Sequence, residues 1–479
     1  MNAPLKRTKI IATVGPASNT KEMLLQFAIA GANVLRLNFS HGSHEDHLKV
    51  INIIKEINKE FNYNLAAVQD LQGPKIRIGN IVNGEVEIVP GKTLYVSTEE
   101  ELEGNENEVS TTYQNFVKDV KVGDKIMIDD GKLQLQVEEV DGKKVKTKVI
   151  VGGMLKSRKG INLPDTQISE SCLTKKDLAD LEFGLKHNID WVAISFVRSR
   201  ADIDQLKSII KERGKKTRVI AKIERPEALK EIDGIIDAAD AIMVARGDLG
   251  VETAISELPI VQRSIMKKCF KKAKPVIIAT QMLESMITSP IPTRAEANDV
   301  AVAVMDGADA VMLSAESAAG KFPLEAVKCM SEIIRSIELN DEGIYEKDFS
   351  FPEGSEKEFI SKEVIHSACI MAKATNAKAI IGLTESGFTA FNLASQRPKA
   401  KIFMFSKEKD LVPALNLIWG VRAFYLPKYE SIMKSFANVE KVLLKEGCLE
   451  KGDRVITVGT VNAEDKLKTN LVKVGHISE

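Results

Sequence analysis

Cysteine is scarce in this chain. There are five in 479 residues (Cys172, Cys269, Cys329, Cys369 and Cys448), odd in number, widely scattered and in no C-x-x-C pair. That spacing argues against a disulfide framework or a zinc ribbon and predicts reduced thiols. Charge of one sign is also lacking, because 67 Lys and Arg balance 67 Asp and Glu. With no net positive field to gather nucleic acid or anionic lipid, neither is expected as a partner, and any anion site must be local. No apolar run approaches the roughly 18 residues that a membrane span needs. The basic start MNAPLKRTKIIATVGPAS carries too short an apolar run for a secretory signal. Low-complexity segments and tandem repeats are absent from the sequence as well. The expectation is a soluble, cytoplasmic protein.

What is present is length and alternation. At roughly 100 to 200 residues per domain the chain predicts two to four domains. Short β-branched runs alternate with amphipathic stretches, the pattern of βα units around a parallel sheet. Eight runs stand out, ending at Pro16, Ser40, Leu71, Val197, Glu224, Asp248, Gln281 and Glu316. Eight is the number that closes a (β/α)8 barrel. Successive ends lie 24, 31, 126, 27, 24, 33 and 35 residues apart, so about a hundred residues, a small domain's worth, are inserted after the third strand.

The insertion, 73–169, reads as a β domain. Its runs EVEIV, TLYVSTE, KIMIDDG, LQLQVEEV and KVKTKVIV are punctuated by Asn83-Gly84, Asp130-Gly131 and Asp141-Gly142, which are hairpin-type signals. Hung from the active end of a barrel it is placed to act as a lid; a decorative insertion is the plainer reading. Beyond the polar stretch NDEGIYEKDFSFPEGSEKEF a new α/β series follows, with strands expected in KAIIGLTES, KIFMFSK, VRAFYLP and RVITVGT. The expected division is 1–72 with 170–345 for the barrel, 73–169 for the β insertion and 346–479 for a C-terminal α/β domain.

Barrels of this kind carry their chemistry at the C-terminal ends of the strands. Six ends are polar: Arg36, Asn38 and Ser40 alternating with Leu35, Leu37 and Phe39 on the second, then Asp70, Lys222 with Glu224, Asp248, Thr280, and Ser314 with Glu316. A period of two puts Arg36, Asn38 and Ser40 on one face. Glu224 and Asp248 end adjacent strands, so both can ligate one hard cation, and magnesium suits them best. The plainer reading pairs Glu224 with Lys222. With a divalent ion the mouth would carry about +2, which suits a phosphate-bearing substrate. The turn Gly247 to Gly250 offers backbone amides to a carboxylate or phosphate. His41, His44 and His47 drift around a helix and lack a fourth ligand, so solvated surface histidines are expected, with His41 the exception beside the strand end. In the last domain TESGFTA, with Thr384, Ser386 and Thr389, has the composition of a phosphate cradle, or of an ordinary helix cap.

Over nearly its whole length the sequence resembles the pyruvate kinase family, through TKIIATVGPAS, RLNFSHG, KIERPEAL, MVARGDLGVE, ATQMLESM and PTRAEANDVA. The resemblance implies a TIM barrel with a β-barrel lid after strand three and a C-terminal α/β domain. It implies phosphoryl transfer from phosphoenolpyruvate to ADP in glycolysis, giving pyruvate and ATP, with Mg2+ (Mn2+ as the substitute) on Glu224 and Asp248. Lys222 would face the phosphoryl group and Arg36 would grip it. The Gly247 and Asp248 turn with Thr280 would hold the substrate, and Thr280 with Ser314 would belong to the relay that protonates the enolate. Asn38, His41, Arg77 and Lys159 would touch the nucleotide. Asn38, Ser40, Asp70 and Leu71 would frame a monovalent-cation pocket. A phosphorylated effector near Thr384, Ser386 and Thr389 and a homotetramer are implied too.

Three departures from the family pattern stand out. The eighth strand runs Leu313, Ser314, Ala315, Glu316, Ser317 where glycine and threonine are common at the third and fifth places. The loop VNAEDKLKTN lacks the usual glycine-rich spacing before Thr469 and Asn470. Leu71, Gln72 and Lys75 replace threonine, lysine and glutamate at the cation pocket. The Lys75 ammonium is therefore expected to stand in for K+, making potassium unnecessary; the plainer reading leaves it in solvent at the hinge of the insertion. Two competing readings are a magnesium-dependent lyase or aldolase of a pyruvate enolate and an inactive nucleotide-binding regulatory homologue.

Overall fold

A computed structural model describes residues 6–99, 101–345, 356–427, 432–460 and 469–478. All eight expected runs are strands: Lys9–Val14, Val34–Asn38, Ala66–Asp70, Trp191–Ile194, Arg218–Ile223, Ala241–Ala245, Val276–Ala279 and Ala310–Leu313. They close into one parallel barrel in chain order, the last pairing with the first. Their side chains are buried on both faces, as a barrel wrapped by helices requires, and the third, fourth, sixth, seventh and eighth strands are buried at every position. Local signals start the outer helices. Ser43 with Asp46, Thr174 with Asp177 and Thr293 with Glu296 form reciprocal caps that satisfy amides otherwise orphaned at helix starts.

The insertion lies between the third and fourth barrel strands and has its own apolar core. It holds a six-stranded sheet and a two-stranded sheet. Strands at Glu108–Ser110, Gly153–Lys156 and Ile161–Asn162 add to the five runs legible in the sequence. Two of the three turn signals join paired antiparallel strands, Asp130-Gly131 and Asp141-Gly142. Asn83-Gly84 does not. It takes left-handed backbone at both residues but leads into Glu85–Ile88, whose partner is the distant Gly153–Lys156.

The C-terminal domain is a five-stranded sheet. Its four expected strands are parallel, and a fifth, Leu471–His476, runs antiparallel at the edge beside Arg454–Gly459. This domain stoppers the barrel floor. Ala414 and Leu417 pack into the apolar interior with Trp191, whose Nε1 donates to the Ala414 carbonyl at 3.1 Å. Beside them Arg397 pairs with Asp309 at 3.0 Å and donates to the Gly307 carbonyl at 2.8 Å.

Candidate active site

The opposite end of the barrel collects charge. Arg36 Nε meets Asp70 Oδ2 at 2.6 Å and its Nη1 donates to Thr13 Oγ1 at 2.9 Å. Lys222 Nζ lies 2.8 Å from Glu224 Oε1, 3.1 Å from Asp70 Oδ1, and donates to Ser195 Oγ at 2.6 Å. Ser195 Oγ in turn donates to the Leu71 carbonyl. The strand period explains the convergence: alternate side chains enter the barrel, and adjacent strands bring them within contact.

Burial sets the electrostatics. Burial alone would push the Asp70 carboxyl up, but Lys222 and then Arg36 outweigh it and hold it below the usual range. Burial would likewise lower the Lys222 ammonium, yet Asp70 and then Glu224 raise it well above a free lysine. Lys222 therefore stays charged. Glu224 behaves differently: burial raises its carboxyl, Lys222 opposes, and the charge of Asp248 raises it further. One Glu224 oxygen already accepts the Phe196 amide at 2.7 Å, and Asp248 lines the cleft between barrel and insertion.

The Glu224 and Asp248 pair fits a divalent cation on its donor chemistry. Two like-charged carboxylates set beside one another favour a cation between them. Among the described residues no group of three or more His, Cys, Asp and Glu is arranged to enclose a metal. Magnesium, which keeps waters and substrate oxygens and takes one or two carboxylates, matches that open arrangement better than a caged ion would.

The seventh and eighth strand ends carry strained or structural groups. Thr280 and Gln281 have φ of 69° and 53°, left-handed values that cost most for a β-branched residue and cluster at functional sites. Thr280 Oγ1 accepts the Gly247 amide at 2.8 Å and donates to the Ala279 carbonyl. Ser314 is half-buried at the mouth. Glu316 leaves the polar ring: it is 2% exposed, and its carboxylate accepts the amides of Ser314 and Leu283. The eighth strand ends at Leu313, and Ala315 and Ser317 lie instead on the short helix Ala315–Ala318 that follows it; Ser317 donates to the Thr13 carbonyl and ties that helix to the first strand.

Other expected residues divide. Asn38 accepts the Ser40 amide at the second strand end, beside Asp70 in register. His41 is exposed at the mouth, and its carbonyl is met by His47 Nε2 at 3.0 Å. His44 is exposed, as expected, although it pairs with Asp180 at 2.7 Å and stacks on Phe183, whereas His47 is half-buried against Phe39. Arg77 and Lys159 lie together in the insertion, where Arg77 Nη1 donates to the Arg158 carbonyl and Lys159 pairs with Asp129 at 2.7 Å.

The expectation for Lys75 needs correction. Lys75 is exposed at the edge of the cleft and makes no ion pair with Asp70, whose cationic partners are Lys222 and Arg36. The left-handed Gly73 (φ 69°) and then Pro74 turn the chain out toward the insertion, so five residues of separation do not bring Lys75 back. Leu71 is buried in the barrel core and Gln72 is half-buried.

Sequence reasoning passed over Ser195 and Thr13, the hydroxyls of the fourth and first strands. Each sits at the same barrel level as the recognised groups, and that level was the available signal. In the C-terminal domain Thr384 Oγ1 accepts the Gly387 amide and Thr389 meets Thr469 Oγ1 at 3.0 Å, both buried, while Ser386 is exposed. Gly387, not Thr384 or Ser386, caps the following helix. The loop VNAEDKLKTN falls largely outside the described residues.

Comparison with known proteins settles the family. The description "Pyruvate kinase, barrel domain" matches residues 5–327 and "Pyruvate kinase, alpha/beta domain" matches 362–475. The chain belongs to the pyruvate kinase family. It is 42% identical over 477 residues to pyruvate kinase 2 of Synechocystis, covering 98% of this chain and 80% of that one. It is 40% identical over 474 residues to pyruvate kinase of Mycobacterium intracellulare, covering 99% of each. A crystal structure of a pyruvate kinase from Cryptosporidium parvum superposes with a TM-score of 0.91 at 34% identity, over 99% of this chain and 96% of that one. The chain is accordingly an enzyme, a phosphotransferase, and family members generally need a divalent metal.

Proposed function

We propose that phosphoenolpyruvate binds at the barrel mouth with its phosphate between Arg36 and Lys222 and its carboxylate toward Gly247 and Thr280. ADP approaches from the insertion, past Arg77 and Lys159, with Asn38 and His41 on the barrel side. The observation that carries this reading is Lys222, a buried ammonium kept charged by Asp70 and Glu224 and aimed at the mouth. Phosphoryl transfer runs through a loose transition state and needs in-line positioning and charge stabilisation more than a nucleophile. Lys222 supplies fixed positive charge without reorganisation, because Asp70 and Ser195 already orient it. Arg36 is held the same way by Asp70 and Thr13.

Glu224 and Asp248 would hold Mg2+, or Mn2+ as a substitute. When bound, the ion neutralises charge on the phosphate and on the enolate oxygen. Thr280 and Ser314 serve the protonation of the enolate carbon, Thr280 through the hydroxyl that already exchanges hydrogen bonds with Gly247 and Ala279. The insertion acts as a lid that keeps water from the moving phosphoryl group.

Activity without added potassium rests on Leu71 and Gln72, which supply neither the hydroxyl nor the cation found in potassium-requiring members, and not on Lys75. A homotetramer would cover Ile255, Ile260 and Ile291, which are 81%, 70% and 70% exposed. A phosphorylated effector would dock near Ser386, with Thr384 and Thr389 shaping the turn. Placement in the cytoplasm agrees with the lack of a described helix long and apolar enough to cross a membrane. The deciding assay couples ADP-dependent pyruvate formation to a chromogenic reporter. Pyruvate released without ADP would favour a lyase, and no turnover at all a regulatory homologue.

A further inference from the structure

The insertion returns to the barrel through residues 163–169, and one side chain gathers that return. Arg225 follows Glu224 directly at the end of the fifth strand and is 3% exposed. Its Nη2 donates to two insertion carbonyls, Leu163 at 3.1 Å and Thr166 at 3.2 Å. Its Nε faces Glu227 at 3.1 Å and Glu252 at 3.8 Å. Glu252 also reaches the insertion, accepting from Asn162 Nδ2 at 3.1 Å. It closes the short helix Arg246–Glu252 that carries Asp248. Thr166 is itself fixed from the insertion side, where its hydroxyl donates to Asp124 at 2.8 Å. Farther along, Arg198 donates to the Ile168 carbonyl.

We propose that Arg225 is a positioning residue that seats the lid over the reacting groups. A planar guanidinium that bridges two carbonyls fixes direction as well as distance, which an ammonium does not. Through those two bonds the returning segment is referenced to the turn bearing Glu224, and through Glu252 and Asn162 to the helix bearing Asp248. Lys159 and Arg77 lie just ahead, paired across the insertion by the backbone bridge between Arg77 and Gly160. On the path proposed for ADP, their placement is therefore set by how the chain at Leu163, just past the strand Ile161–Asn162, is held. The groups assigned to phosphoenolpyruvate (Arg36, Lys222, Gly247 and Thr280) all belong to the barrel and do not depend on that seat. The consequence is selective: loosening Arg225 impairs the half of the reaction that involves ADP and spares the half that involves phosphoenolpyruvate.

This inference rests on transfer to ADP at this mouth, and the unaltered enzyme tests that separately, since failure to form pyruvate with ADP would remove the reading itself. Given wild-type turnover, Arg225→Gln and Arg225→Lys are compared in full-length protein. In Arg225→Gln, kcat/KM for ADP is expected to fall by about ten- to a hundredfold, the scale of a misplacement near 1 Å. Phosphoenolpyruvate binding, titrated without ADP, should change less than about twofold, or about 0.4 kcal/mol. Amide exchange across 163–169 should speed up. Arg225→Lys keeps the charge against Glu227 and Glu252, so it should restore the melting temperature but not kcat/KM for ADP. Full recovery in Arg225→Lys would reduce Arg225 to a buried counter-charge and overturn the proposal, as would equal losses toward both substrates. If neither variant folds, Asn162→Ala decides: a selective loss toward ADP supports the seat, and unchanged kinetics reject it.

Discussion

The two ends of the barrel bury charge for opposite purposes. At the floor charge is paired with protein: Arg397 is gripped by Asp309 and the Gly307 carbonyl between the faces of Phe270 and Trp419, with only its Nε left without a hydrogen bond, and Glu338 accepts the amides of Arg7 and Thr8. At the mouth Glu224 is as deeply buried, but beside it stands the like charge of Asp248, which is half-buried and lines a cleft. Charge paired with protein docks a domain. Charge left partly unsatisfied is available to bind an ion or to meet charge that appears during a reaction.

That contrast can be broken at either end. The largest effect is expected at the floor. Arg397→Met leaves Asp309 buried without its partner and should cost about 3 to 5 kcal/mol in chemical unfolding, with residual folded enzyme close to wild type in turnover. A stable protein with lost turnover would erase the distinction between the ends. Lys222→Met should do the reverse. Turnover is expected to fall about 10²-fold or more, roughly 2.7 kcal/mol at the transition state, while binding of phosphoenolpyruvate survives. Weakened binding with intact turnover would move Lys222 to a ground-state role.

Smaller effects sharpen the comparison. Glu224→Gln and Asp248→Asn each remove an anionic donor from a hard cation, so the magnesium concentration for half-maximal activity should rise about tenfold, near 1.4 kcal/mol. An unchanged requirement in both variants would return Glu224 to a simple partner of Lys222. At the floor, burial lowers Lys9 from 10.5 to about 7, with Glu338 opposing, and its Nζ donates to the Val421 carbonyl at 2.7 Å. Between pH 7 and 10.5 the unfolded chain holds more protons at this lysine than the folded one, so its contribution to stability grows as pH rises, by at most about 1.4 kcal/mol per unit. Lys9→Met should flatten melting curves measured from pH 7 to 9; identical slopes would show that Lys9 does not titrate there. Least of all, replacing potassium chloride by tetramethylammonium chloride at equal ionic strength should alter activity by less than about tenfold. Larger activation by potassium would mean that Leu71 and Gln72 do not abolish the cation site.

The barrel was legible because its period is short and repeated: eight apolar runs at near-constant spacing admit few other closures, and the one long interval exposed the insertion. Leu471–His476 escaped because an edge strand need bury only part of itself, and LVKVGH mixes apolar and polar residues without a turn signal beside it. At the mouth, strand period placed Arg36, Asp70, Lys222 and Glu224 correctly, since alternation fixes which face a side chain takes. It failed one step past the strand ends. Glu316 turns back onto its own amides and Lys75 turns away with the chain, directions decided by backbone angles at Ser314 and Gly73 that residue spacing does not encode. Arg225 stands unmarked within KIERPEAL, because a buried arginine facing backbone carbonyls has no such partner visible in sequence.

Both tryptophans of the chain lie where the C-terminal domain meets the barrel, Trp191 beneath Ala414 and Trp419 against Arg397. The intrinsic emission of this enzyme is therefore a spectroscopic readout of one seam. Quenching or a red shift on adding a ligand would report water or charge entering that seam, even for a ligand bound elsewhere. Movements of the insertion, which carries no indole, would leave the signal unchanged, so the same cuvette separates events below the barrel from events above it.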